Sequence, residues 1–308
     1  MELLVLNRAE VEELLDLHAL LAALRDGFTA LTAGEVTAPG RNELTMPDEA
    51  FLLGMPGRLR DGVMTVKVVT VFESHDPSHL ATIGLYDART GACRAFMDGT
   101  YITAIRTSAA AAVATDLLAR RDARTLTIIG AGVQGEHHLR VFPLVRDFDE
   151  IRVCSLYRAD AERVAALHPR AHVVDDPEAA VHGADVVALA THAAQPVIDP
   201  GWIAPGTHVS SVGYRPPDGE LPRELTRARL FVETREAFEP TPVGCAELQG
   251  LDPRAATELG EVLLGRAPGR TDEREITVYK AMGHVVEDIV AAELVYASAG
   301  GRGTLVEL

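Results

Sequence analysis

The chain has 308 residues, 47 % hydrophobic and 24 % charged, an ordinary globular composition too long for one core, so two domains are expected. Twenty-nine Lys and Arg stand against 45 Asp and Glu, a net charge of −16, which repels phosphate backbones and anionic lipid heads and argues against nucleic acid or membrane partners. Cys93, Cys154 and Cys245 form neither a disulfide framework nor a zinc cluster, and "MELLVLNRAEVEELL" lacks the basic start of a signal peptide, so a cytoplasmic location is expected.

In chain order, apolar residues at helical spacing over 10–32 predict one or two amphipathic helices, stopped by "TAPGR". From about 50 to 98 the pattern turns β-like. "TVKVVTVFE" is apolar and β-branched, and "ATIGLYD" and "CRAFMD" flank the glycine turn "ARTGA" as a hairpin. Residues 100–120 are Ala-rich and helical. Beyond them, strand-like runs near 125–129, 151–155, 171–174, 185–190, 207–212 and 229–232 alternate with helices or turns, the pattern of a parallel sheet covered on both faces. The terminal stretch "ITVYKAMGHVVEDIVAAELVYASA" reads as a long helix, or two. The fold class is therefore α/β: a Rossmann dinucleotide-binding domain over 118–277, inserted in an α+β domain built from 1–117 and 278–308.

The turn Gly130-Ala131-Gly132-Val133-Gln134-Gly135 follows a predicted strand and opens a helix, the context a pyrophosphate site requires. Gly130 serves the tight turn, Gly132 the close approach of phosphate and Gly135 the helix–strand packing, with the helix N-terminus facing the anion. An acid usually ends the second strand of an NAD site. Here Ser155 and Tyr157 stand there with Arg158 next, which favours the 2′-phosphate of NADP; NAD stays possible, and Arg158 can equally be a solvated helix-start residue.

Three cations outside this domain stand in unusual company. Lys67 interrupts an apolar strand, as an edge charge or a cation aimed into a cleft, where desolvation would lower its pKa. Arg106 sits among small uncharged neighbours and Arg41 follows "TAPG"; either suits a carboxylate clamp. No metal is expected: His137 and His138 are adjacent and point about 100° apart on a helix, and Pro77 breaks the spacing of His75 and His79. "VSSVG" is no nucleophile elbow.

Together "TVKVVTVFE", "SHLATIGLYDARTG", "MDGTYITAIRTSAAAAVAT", "IIGAGVQG", "GADVV", "PGTHVSSVG", "TELGEVLLG" and "VYKAMGHVVEDIVAAELVY" resemble the ornithine cyclodeaminase/mu-crystallin family in order and spacing over nearly the whole chain. The resemblance implies a homodimer built through the first domain and a nicotinamide-dependent interconversion of amine and imine beside a carboxylate. It implies Arg41 and Arg106 as carboxylate ligands, Lys67 as the catalytic lysine, and Thr107 with Gly130, Ala131, Gly132, Val133 and Gln134 at the cofactor; Val212 and Gly213, closing "VSSVG", are taken with them. One departure stands out. Where cyclodeaminases carry an Asp just after this "VG", Tyr214 and Arg215 follow Gly213, and Asp218 is the nearest acid, either the catalytic equivalent or a turn residue in "PDG". A cation at 215 would repel the ammonium of ornithine, so reduction of a small α-imino carboxylate is expected. A cyclodeaminase forming a cyclic amino acid and a non-catalytic NADPH-binding protein are the alternatives.

Overall fold

The computed structural model describes residues 2–46, 50–60, 62–75, 77–241 and 243–307. The chain divides into two compact units, 1–106 with 284–308, and 107–283.

In the first unit β1 (Glu2–Leu6) leads into α1 (Arg8–Leu14) and α2 (Leu17–Thr32). Asn7 and Asp16 cap the two helices, with Asn7 and Glu10 forming a reciprocal capping box. The strands β2 (Val36–Thr37), β3 (Asn42–Thr45), β4 (Phe51–Leu59), β5 (Val63–Val71), β6 (His79–Asp87) and β7 (Cys93–Asp98) follow, then α3 (Gly99–Leu118). The run from β4 to β7 is antiparallel, β1 lies parallel to β7, and β3 pairs with β4. Period-2 alternation decides which face is buried. On β5, Val63, Thr65, Lys67, Val69 and Val71 point inward, while Val66 is exposed. Asp87 closes the β6–β7 turn by accepting from the amides of Arg89 and Thr90.

The second unit starts inside α3 at Thr107. It contains β8 (Thr125–Ile129), α4 (Val133–Val141), β9 (Glu150–Cys154), α5 (Arg158–Ala165), β10 (Ala171–Val173), α6 (Pro177–Val181), β11 (Val186–Leu189), β12 (His208–Ser211), β13 (Arg229–Val232), β14 (Ala256–Glu258), α7 (Leu259–Leu263) and β15 (Thr277–Lys280). The sheet order is β10-β9-β8-β11-β12-β15-β13-β14, parallel throughout. Strands buried on both faces read as continuous apolar runs, as "VVAL" of β11 does. The order reverses at β8/β11, the switch point at which doubly wound sheets bind dinucleotides.

The chain then returns to the first unit through α8 (Val285–Ser298) and β16 (Thr304–Glu307), which pairs antiparallel with β1. Two expectations change here. Near the start of the stretch expected to be helical, "TVYK" forms β15 within the parallel sheet, because its β-branched and aromatic residues fit a strand buried on both faces. Gly283 then takes φ 73°, a conformation that separates the strand from α8. The terminal strands β1 and β16 carry weak patterns and were not anticipated. The divisions at 106/107 and 283/284 fall inside α3 and just before α8, rather than at 117/118 and 277/278: Ala-rich α3 is continuous, and β15 belongs to the second unit's sheet.

Candidate active site

In the second unit the glycine turn joins the end of β8 to α4. Gly130 adopts φ 108°, and a side chain there would strike the carbonyl of Ala190. A Cβ at Gly135 would meet the Gly130 carbonyl, whereas the Cβ direction of Gly132 is open. Gly132 is the N-cap of α4 and no side chain caps the helix, so its first amides, near Val133 and Gln134, suit a pyrophosphate. Arg163 donates to the Ala131 carbonyl at 2.9 Å and so braces the turn. Ser108, next to Thr107 on α3, donates to Gln134 at 3.0 Å. These residues fit a dinucleotide.

Ser155 is half-buried at the end of β9. Arg158 opens α5 on the surface, paired with Glu162 at 2.8 Å and with Asp175. Val212 and Gly213 follow β12, and here the sequence reading missed a buried network. Glu220 accepts from the amides of Thr191 (2.7 Å), Val212 (3.1 Å) and Gly213 (2.6 Å) and from the hydroxyls of Thr191 (2.7 Å) and Ser211 (2.9 Å). One carboxylate thus ties together the chain segments leaving β11 and β12. Lys280 donates to the Gly213 carbonyl at 2.7 Å and to Ser211 at 3.1 Å, and pairs with Glu247 at 2.7 Å. Burial opposes the Lys280 charge, but Glu247, then Cys245 and Glu220, outweigh it and raise its pKa. Asp218, by contrast, is exposed in the turn after Pro217, its amide donating to the Ala194 carbonyl.

In the first unit Lys67 is 1 % exposed on the inner face of β5, flanked in register by Met55 of β4 and Ile83 of β6. It is a central-strand residue, so the edge-charge alternative falls away. Arg106, 4 % exposed, projects from α3. Both meet the first turn of α8. Lys67 Nζ lies 2.7 Å from Asp288 Oδ2, Arg106 Nε is 3.0 Å from Asp288 Oδ1, and Arg106 Nη1 is 2.9 Å from Glu287 Oε2. Glu287 also accepts the His284 amide at 2.7 Å, and His284 Nδ1 accepts from Val286 at 3.1 Å. A helix N-terminus favours such carboxylates.

Burial lowers the Lys67 pKa to about 8, with Arg106 and Arg41 acting in the same direction and Asp288 opposing them. Burial opposes ionisation of Asp288 too, yet Arg106 and Lys67 hold its pKa below the ordinary value. Arg106 stays charged, since Asp288 and Glu287 outweigh the cost of burying it. Burial, then Arg41, bring His284 down to about 4, so its imidazole is neutral near pH 7. Arg41 is half-buried before β3, close enough to act electrostatically on Lys67 and His284.

The family model of the ornithine cyclodeaminase/mu-crystallin proteins matches residues 1–303. The chain belongs to that family. It is 38 % identical over 307 residues to ketimine reductase mu-crystallin of Mus musculus, covering 95 % of this chain and 96 % of the mouse protein. The structure of Thermococcus litoralis Δ1-pyrroline-2-carboxylate reductase in complex with NADH and L-proline superposes with a TM-score of 0.91 at 32 % identity, covering 99 % of this chain and 100 % of that one. An archaeal alanine dehydrogenase dimer with bound NAD gives a TM-score of 0.88 at 26 % identity over the full length of both chains.

Among the family member's predicted catalytic residues, the structure joins Lys67 and Arg106 through α8, while Asp218 lies in the other unit. The acids that complete the cluster, Glu287 and Asp288, were missed. Their signal was present: "GHVVED" places two acids in an otherwise apolar helix, and buried acids call for partners. Among the described residues no group of His, Cys, Asp or Glu is arranged to hold a metal ion.

Proposed function

We propose that Lys67 and Arg106 form the substrate end of an imine-reducing site, with Lys67 as proton donor and Arg106, joined by Arg41, as carboxylate ligand. The chain is an NAD(P)-dependent oxidoreductase that reduces the C=N bond of a small amino or imino acid. The observation that carries the roles is the buried ammonium of Lys67, whose pKa of about 8 keeps it mostly protonated at neutral pH while leaving its proton easily given up.

A nicotinamide dinucleotide held at the Gly130–Gly135 turn would supply the hydride for the imine carbon. Lys67 donates a hydrogen bond and then its proton to nitrogen, so the imine acquires iminium character as hydride arrives. Asp288 and Glu287 balance the charges of Lys67 and Arg106. Arg41 adds positive potential at the same place, since it acts on both Lys67 and His284, and a cationic pocket of this kind suits a substrate carboxylate. Arg106 uses Nε and Nη1 on its acids, leaving Nη2 for the substrate.

The substrate class is a cyclic α-imino carboxylate with a five- or six-membered ring. For the cofactor the finer reading is NADP(H) over NAD(H), with Arg158 exchanging Asp175 or Glu162 for the 2′-phosphate. A cytoplasmic homodimer completes the reading. Its support is the outer sheet face of the first unit, where Val66, Gly84 and Phe96 align across three strands and Val66 and Phe96 are exposed.

The deciding experiment follows NADH and NADPH oxidation with Δ1-pyrroline-2-carboxylate, its six-membered analogue, and α-keto acids with ammonia or methylamine, and assays proline formed from L-ornithine. Turnover of the cyclic imines with little proline from ornithine is expected. Stoichiometric cofactor binding without turnover would make the chain a binding protein. Proline formation at the rate of imine reduction would make it a cyclodeaminase.

A further inference from the structure

Among the described residues, Lys67 has one carboxylate paired with it. Asp288 places Oδ2 2.7 Å from Nζ and Oδ1 3.0 Å from Arg106 Nε, bridging the two cations. The neighbouring Glu287 is occupied by Arg106 Nη1 and the His284 amide. The other charged groups acting on Lys67 are Arg106 from α3 and Arg41 from the segment before β3, both cations; β4 and β6 place Met55 and Ile83 beside it, both apolar. His284, at the N-cap of α8, is neutral. Two cations and an apolar wall thus favour a neutral amine at position 67, and among the described residues Asp288 is the acid that favours the ammonium.

We propose that Asp288 is the positioning residue of the reaction: it keeps Lys67 an ammonium and fixes Nζ relative to the Arg106 guanidinium, acting through Lys67 rather than on the substrate. The inference rests on the reading of Lys67 as proton donor. In the reductive direction hydride forms the new C–H bond, the C=N π pair takes the proton from Lys67 Nζ, and Lys67 is left neutral beside an ionised Asp288. That carboxylate draws a proton from solvent back onto Nζ before the next turnover. With Asp288 neutralised, Lys67 loses its proton at lower pH, so reduction fails from its alkaline side.

Asp288→Asn keeps the shape and removes the charge. Lys67 and Lys280 are the only lysines of the chain, so protein carrying 13Cε-lysine gives two side-chain signals, with Lys280 as internal reference. In the variant the Lys67 titration is expected at least one pH unit below its wild-type midpoint, a tenfold loss of proton affinity, with Lys280 unmoved. The alkaline limb of kcat/KM for Δ1-pyrroline-2-carboxylate reduction is expected to move by the same amount, so that the loss at pH 9 exceeds that at pH 6 about tenfold. Glu287→Gln raises KM through Arg106 but leaves the limb in place. Asp288→Glu, which retains charge on a longer arm, keeps the Lys67 midpoint and lowers kcat; it serves as the test if the Asn variant does not fold. A Lys67 midpoint unmoved in Asp288→Asn, or in the Glu variant a midpoint that falls with kcat intact, overturns the proposal. A Lys67 midpoint that moves in a protein showing no imine reduction even as wild type sinks the functional reading and leaves the electrostatic role of Asp288 standing.

Discussion

The chain contains two lysines among its 29 Lys and Arg residues, one in each unit, and both are buried. They share a residue type and a loss of solvent, yet their proton affinities move in opposite directions. Among the described residues Lys67 pairs with one acid, Asp288, against Arg106 and Arg41, and its pKa falls to about 8. Lys280 faces Glu247, with Glu220 nearby, and donates to the Gly213 carbonyl and the Ser211 hydroxyl. Burial costs both ammonium ions; the surrounding charge decides which stays fixed and which can give its proton away. An ammonium locked by acids and a carbonyl braces a loop, whereas one surrounded by competing cations is suited to proton transfer. Elsewhere the chain uses arginine, which cannot be deprotonated and so could not serve at position 67.

The largest expected effect breaks the catalytic side of this comparison. Lys67→Met should reduce imine turnover by about 10²–10⁴-fold, the usual worth of a positioned proton donor, while cofactor binding, measured by fluorescence titration, stays close to wild type. A variant retaining more than about a tenth of the activity would place the proton donor elsewhere, since that loss is under ~1.4 kcal/mol.

Lys280→Met tests the structural side. It leaves Glu247 buried without its partner, a cost on the order of 3–5 kcal/mol, read as a lowered thermal midpoint. Replacing Glu247 by Leu in the same protein should restore much of the loss. The alkaline limb of the pH–rate profile should not move, because Lys280 does not titrate there.

The buried histidines sharpen the role of counter-charges, since they have too few. Burial first of all holds His284 and His138 to about 4 and His208 to about 3. Each is neutral in the fold and takes a proton near pH 6.5 when unfolded, so its contribution to stability is complete above about pH 6.5 and is lost as pH falls towards 4, at up to ~1.4 kcal/mol per pH unit. Thermal midpoints should fall across that window, and His208→Gln should flatten the decline.

The smallest effect concerns Arg158. Because its guanidinium is exposed and already shared with Glu162 and Asp175, Arg158→Ala should cut any preference for NADPH over NADH by no more than about fivefold. Unchanged relative kcat/KM for the two cofactors would remove Arg158 from the cofactor site.

What the sequence made legible follows from how local each signal is. The glycine turn, the β6–β7 hairpin and β8 to β13 are specified by a few neighbouring residues, and the structure places each where the pattern put it. Lys67 and Arg106 could be singled out because each is a charge in an apolar stretch, but their meeting depends on the fold. Asp288 lies more than 180 positions from Arg106 in the chain, and only the return of α8 beside β5 brings them together. Its dipeptide with Glu287 lies in an otherwise apolar helix, which signals burial, but the sequence does not say which cations it meets. Glu220 was masked by its neighbours: beside Asp218 and Gly219 it reads as part of a polar turn, yet it is buried with five hydrogen bonds. The C-terminal stretch misled for a different reason, since "TVYK" is too short to distinguish a buried strand from the first turn of the helix after it.

The most direct test of the account follows both lysines at once. In wild-type protein carrying 13Cε-lysine, the Lys67 signal should titrate with a midpoint near pH 8, while Lys280 should remain an ammonium past the ordinary lysine value near 10.5. The midpoint of Lys67 should coincide with the alkaline limb of imine reduction. Two lysines titrating together near pH 10.5, or a Lys67 midpoint unrelated to that limb, would contradict the assignment of one as proton donor and the other as brace.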